Sequence, residues 1–187
     1  AGKFELPVPV SLRSFRIQKG ALSLINEKEN SRTLLKEIFQ RLSLRMERDM
    51  TNLSSDGKLE IGALELWAKG KRLPVSGMKI QFSHELSGNI AAGNITLSKG
   101  ELLANGIPVK LTGELKNGKD AAFHVETGIL KAADLIAALP DSVLPNKKDV
   151  SAQGELSFSL DGAAQFGAVK PVIRYKGAVE VRNMTAA

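Results

Sequence analysis

The chain has 187 residues, no cysteine, a formal net charge of +6, and 43% hydrophobic but only 5% aromatic residues. That length suits one domain able to bury a core; the missing cysteines exclude disulfides and thiolate metal centres, and no run approaches the roughly 20 apolar residues of a membrane helix. Lys and Arg are interleaved with Glu and Asp, and no basic cluster in the sequence carries aromatics suited to base stacking, so the charge points away from nucleic acid and leaves open an attraction to anionic lipid head groups.

The opening Ala1-Gly2-Lys3-Phe4 lacks a basic segment followed by an apolar one and reads as a stretch internal to a larger protein. Leu6-Pro7-Val8-Pro9-Val10 is extended, because each proline disfavours helix at the residue before it. Leu12 to Ile25 reads as paired strands around Lys19-Gly20, with Phe15, Ile17, Leu22 and Leu24 as apolar positions, and Asn26 to Arg32 as a charged loop. Thr33 to Met46 admits two periods. Leu34, Leu35, Ile38, Phe39 and Leu42 fit a helical stripe, whereas Leu42, Leu44 and Met46 alternate; the residues from Leu42 read as strand, and those before it stay open between the two.

Asp56-Gly57 is a hairpin signal leading into Leu59 and Ile61. The alternation then slips by one at Gly62-Ala63, as a β-bulge would make it. Met78, Ile80, Phe82, His84 and Leu86 share one strand face, and Ile95 and Leu97 follow. Asn105-Gly106 and Asn117-Gly118 separate alternating runs, the strongest short-range hairpin signal. Between them Ile107, Val109, Leu111 and Leu115 face one way and Lys110, Thr112 and Glu114 the other; Phe123 and Val125 continue the apolar side. Ala132 to Leu139, stopped by Pro140, is helical, and is too short to stand alone, so it must dock through Leu135, Ile136 and Leu139. Leu156, Phe158 and Leu160 then form one strand face and Ile173, Tyr175, Val179 and Val181 another, across a connection from Asp161-Gly162 to Pro171.

A short phrase recurs at irregular spacing: polar residue, glycine, small or charged residue, apolar residue. It stands at Lys19-Gly20-Ala21-Leu22, Asp56-Gly57-Lys58-Leu59, Lys99-Gly100-Glu101-Leu102, Thr112-Gly113-Glu114-Leu115, Gln153-Gly154-Glu155-Leu156 and Lys176-Gly177-Ala178-Val179. Its glycine reads as a strand start or a sharp bend in a curved sheet. The fold class that results is mainly β: one domain over residues 1–187, an elongated, curled antiparallel sheet, groove-like or sandwich-like, with a single short helix near 132–139.

Chemistry is sparse. Of the two histidines, His84 falls on an apolar face and His124, beside Glu126, on a polar one, so neither is expected to bind metal. No metalloprotease, P-loop, serine-hydrolase or acidic metal-loop motif occurs, and the strand carboxylates favour no particular pair. No catalytic, metal or cofactor site is expected, and the chain is not read as an enzyme.

The order KGELLANGIPVKLTGELKNGKDAAFHVETGILKAADLIAALP, then VSAQGELSFSLDG and YKGAVEVRN, resembles the AsmA family of Gram-negative envelope proteins, relatives of TamB and of the eukaryotic bridge-like lipid transfer proteins. The opening LPVPVSLRSFRIQKGALSLIN is similar to a phrase that recurs in the same family. The resemblance implies a periplasmic segment whose parent protein is anchored in the inner membrane by parts absent here. It also implies a curled sheet with an apolar face that shelters phospholipid or another acyl-chain lipid. Leu111, Phe123, Leu156, Phe158 and Val179 are then the candidates to line that groove. Alternation alone equally allows the faces to close on each other as a sandwich, which would make the chain a structural module of outer-membrane biogenesis; a sugar-processing enzyme on an all-β scaffold is the remaining alternative.

Overall fold

The structure, a computed structural model, describes residues 6–74, 76–166 and 171–186. Ala1–Phe4, and the central residues 167–170 of the expected connection to Pro171, lie outside the described residues. The first half of the chain gives β1 (Val10–Asn26), β2 (Ser31–Met46), β3 (Leu53–Ala68), the two-residue β4 (Lys71–Arg72) and β5 (Met78–Asn89). Then come β6 (Asn94–Ala104), β7 (Ile107–Lys116), β8 (Asp120–Glu126), the two-residue β9 (Leu130–Lys131), α1 (Ala132–Ala138), β10 (Ala152–Gln165) and β11 (Val172–Ala186).

All the strands belong to one antiparallel sheet in the order β1-β2-β3-β5-β6-β7-β8-β10-β11, with β4 beside β3 and β9 beside β10. Each long strand pairs with the next in sequence, so the sheet grows by successive hairpins. It is curled but not closed: β1 and β11 are its edges, and no second sheet covers either face among the described residues. The accessible surface is 13038 Å², against roughly 8,700 Å² for a compact monomer of this mass. Only Ile61 and Ala132 are buried apolar residues among those described.

Asn105 and Gly106 both have positive φ, 49° and 89°, and close a two-residue turn in which Ala104 faces Ile107. Asn117 and Gly118, at 53° and 64°, open the turn in which Lys116 faces Asp120. The bulge near Gly62 is present as a register shift between Ile61 and Leu64. The helix stands within the expected bounds.

Three local expectations are corrected, and the open choice at residues 33–41 is decided. Lys19-Gly20 is not a turn: β1 runs straight through it, with Lys19 left-handed (φ 55°) as a bulge between the pairs Ile17–Gln40 and Gly20–Ile38. Asp56-Gly57 lies inside β3, and the tight turn of that region is Lys69-Gly70, which joins Ala68 to Lys71. Residues 33–41 are strand, their helical stripe being overridden by ladders to β1 and β3; the slip in period comes from Glu37, a bulge at φ 53°. Asp161-Gly162 is interior to β10, so the connection to β11 begins only after Gln165.

The recurrent glycine is also not a strand start at most of its positions. Gly20, Gly57, Gly100, Gly113 and Gly177 are interior to strands, and only Gly154 lies near a beginning.

Candidate functional site

Register builds one continuous apolar face. Its central row crosses the sheet as Phe15, Leu42, Gly57, His84, Gly100, Leu111, Val125, Leu160 and Gly177, each opposite the next. On one side of it lie Leu59, Phe82, Leu102 and Val109. On the other lie Leu86, Leu97, Gly113, Phe123, Gly162 and Tyr175. All five residues expected from the sequence fall on this face. Leu111 and Phe123 come from β7 and β8, Leu156 and Phe158 from β10, and Val179 from β11 opposite Phe158. Leu111, Leu156 and Phe158 are half-buried, while Phe123 is 38% and Val179 64% exposed. The exposure rises toward β11, where Tyr175 is 78% exposed.

The glycines thin the face where their neighbours are bulky. A Cβ at Gly162 would meet the Phe123 ring, and one at Gly57 would meet the His84 ring at 2.9 Å and Leu42 at 3.1 Å. Side chains from one strand therefore lie over the bare backbone of the next, which keeps the face low and continuous. His84 belongs to this floor: its ring stacks on Phe82 with centroids 5.9 Å apart, and Nε2 is 3.2 Å from the Ser55 hydroxyl.

One end of the sheet is capped by α1 and the loop after it. The helix touches β7, β9 and β10, with Ala132 buried and Leu135, Ile136 and Leu139 half-buried, as docking requires. It has no side-chain cap at its N-terminus. Its C-terminal carbonyls are satisfied from outside: the Asn105 amide donates to Ala138 O at 2.8 Å, and Lys147 Nζ donates to Leu139 O at 2.9 Å. The Ser142 hydroxyl then donates to the Pro74 carbonyl, tying the loop to the β4–β5 connection. Lys147 also pairs with Asp141 at 2.9 Å and holds that carboxyl below its ordinary range.

The opposite face carries the polar residues, including His124. Sequence adjacency offered it only Glu126; the sheet adds Asp161 directly opposite, 2.7 Å from Nδ1, with Glu126 3.6 Å from Nε2. The Asp161 hydrogen bond raises the imidazole pKa above its ordinary value. Both ring nitrogens thus face carboxylates, and no group of three or more His, Cys, Asp or Glu is arranged to hold a metal ion among the described residues.

Sequence reasoning also missed Phe39. It stands on the polar face beside Arg41, 40% exposed, because adjacent strand residues alternate faces, whereas the helical stripe had grouped it with Ile38. No family model, no curated protein and no solved structure matches the chain.

Proposed function

We propose that this chain is a non-enzymatic segment of an AsmA-like periplasmic protein, which shelters the acyl chains of phospholipid against its apolar sheet face for envelope maintenance or transport between membranes. The observation that carries this is one face of nine long strands, predominantly apolar from edge to edge, over which the described residues pack no second sheet. Monomers rarely expose apolar patches beyond a few hundred Å², so a face of this extent calls for an occupant. Burial of acyl chain contributes about 0.8 kcal/mol per CH₂, enough to hold a long chain without a specific hydrogen bond. Few polar side chains interrupt the floor, which suits a ligand recognised by length and apolarity. A closed-core assembly module would need a second apolar layer, and the described residues supply only one sheet.

Phe158→Glu tests the proposal. In an open groove the charge repels acyl chains through its desolvation cost, while the strand ladder survives. Native mass spectrometry of protein purified from cells should find lipid with the parent chain and much less with the variant, at nearly equal melting temperatures. A collapsed melting temperature, with no lipid on the parent chain, would refute the groove and favour a closed structural module.

A further inference from the structure

The polar face is not uniform. Across β6, β7 and β8 charges of opposite sign meet, Glu101 opposite Lys110 and Lys110 opposite Glu126, and farther on Asp161 faces Lys176. Across β1, β2 and β3 the register does the reverse: Arg16 faces Arg41, and Arg41 faces Lys58. Like charges directly opposite one another destabilise a sheet, so folding alone does not favour this row. Local carboxylates neutralise it only at Lys58. Among the described residues Arg41 and Arg45 form no ion pair, and Arg16 donates to the Ser14 hydroxyl at 3.1 Å without a carboxylate partner. Lys58 pairs with Glu60 at 2.6 Å, and Asp56 on the same face is engaged by the Ser43 hydroxyl. Residues 10–46 hold eight Lys or Arg against three Glu, so most of the net charge of +6 resides on the first two strands.

Apolar groups interrupt these cations. Phe39 sits beside Arg41, and at the far end of the same face Ile25, 67% exposed, opens a row that continues through Arg32, Trp67 and Arg72. There the Arg32 guanidinium lies 5.4 Å from the Trp67 ring centroid. Cations mixed with aromatic and aliphatic side chains on one open face match the chemistry of a lipid head-group layer, where phosphates meet the charges and the rings sit at the boundary.

We propose that the polar face of β1, β2 and β3 docks on a membrane leaflet rich in anionic phospholipid, through Arg16, Arg41, Arg45 and Lys58, with Phe39 entering the head-group boundary. The surface lies on the opposite side of the sheet from the apolar face, so it stands whether or not that face holds lipid. Single-stranded nucleic acid is disfavoured, because a track of bases needs successive aromatic platforms and only Phe39 stands among these arginines.

The test is flotation of the purified chain with vesicles of phosphatidylcholine plus phosphatidylglycerol, against phosphatidylcholine alone. The chain should float only with the anionic vesicles, and less as salt is raised. The variant R16Q/R41Q/K58Q should bind about 100-fold more weakly, at about fivefold per cation. A control on distant strands, K110Q/K116Q, should keep most of the binding, and both variants should stay folded and melt within a few degrees of the parent, since the ion pairs they lose are exposed. Equal binding to neutral vesicles, or equal losses in the two variants, would overturn the proposal. So would a single-stranded oligonucleotide that strips the chain from the vesicles. Lipid extracted into the apolar face would appear with neutral vesicles too and survive the triple variant, so failure of the groove and failure of the docking face are distinguishable.

Discussion

His124 is a point at which pH reaches this sheet. Its pKa is raised chiefly by the hydrogen bond to Asp161, with Glu126 assisting and partial desolvation opposing. A group whose folded pKa lies above its unfolded value stabilises the fold fully below the unfolded value, about 6.5 for histidine, and the contribution is lost as pH rises through the folded value. His124→Gln should therefore lower the melting temperature at pH 5 and make little difference at pH 9. An NMR titration should place the imidazole midpoint above 6.5; a midpoint at or below it would remove the basis for the effect. The ring is exposed, so the change will be small. Gly162 makes a different residue-scale demand. The Phe123 ring occupies the space of its absent Cβ, but that ring is exposed and can swing away. Gly162→Ala is expected to cost about 1 kcal/mol in urea unfolding, not to abolish folding, because the price falls on a displaced aromatic contact.

At the scale of elements, Asn105 joins two of them. It sits left-handed at the β6–β7 turn, its side-chain oxygen accepts the Lys79 amide at 2.7 Å, and its nitrogen donates to the end of α1. Asn105→Ala loses both hydrogen bonds and strains the turn, for about 2 kcal/mol. Hydrogen exchange should quicken most in 132–139, since a helix of this length holds only by docking; unchanged exchange there would mean that Lys147 alone secures it. The Asn-Gly turns and the helix were legible because each carries chemistry that few other contexts use. Asp56-Gly57 was misread although its parity argues for strand: Ser55, Gly57, Leu59 and Ile61 alternate without a break. Lys19-Gly20 had no such tell, since a bulge flips parity between Ile17 and Leu22 just as a two-residue turn does. The groove candidates were legible as a face because parity is local. The cation row was not, because Arg16, Arg41 and Lys58 come together only through cross-strand register.

At the scale of the molecule, a sheet with so little buried surface leaves both faces to meet something other than itself, and the two faces differ in kind. One is apolar with glycine gaps; the other is charged, alternating in sign over most strands and predominantly basic at the β1 side. The basic side opposes sheet stability, which gives a sharp test of whether it serves a partner. Arg41→Glu would restore sign alternation, setting a carboxylate between Arg16 and Lys58. Opposite-charge cross-strand pairs contribute about 0.2–1 kcal/mol each, reduced at exposed sites, so the variant should melt up to a few degrees higher than the parent. Anionic-vesicle binding should move the other way, falling about 25-fold for the two units of charge removed. A sheet that becomes more stable while losing its membrane would mean the arginine row is kept for docking. If Arg41→Glu instead lowers the melting temperature, Arg41 stabilises the sheet, and its unpaired charge no longer argues for a partner.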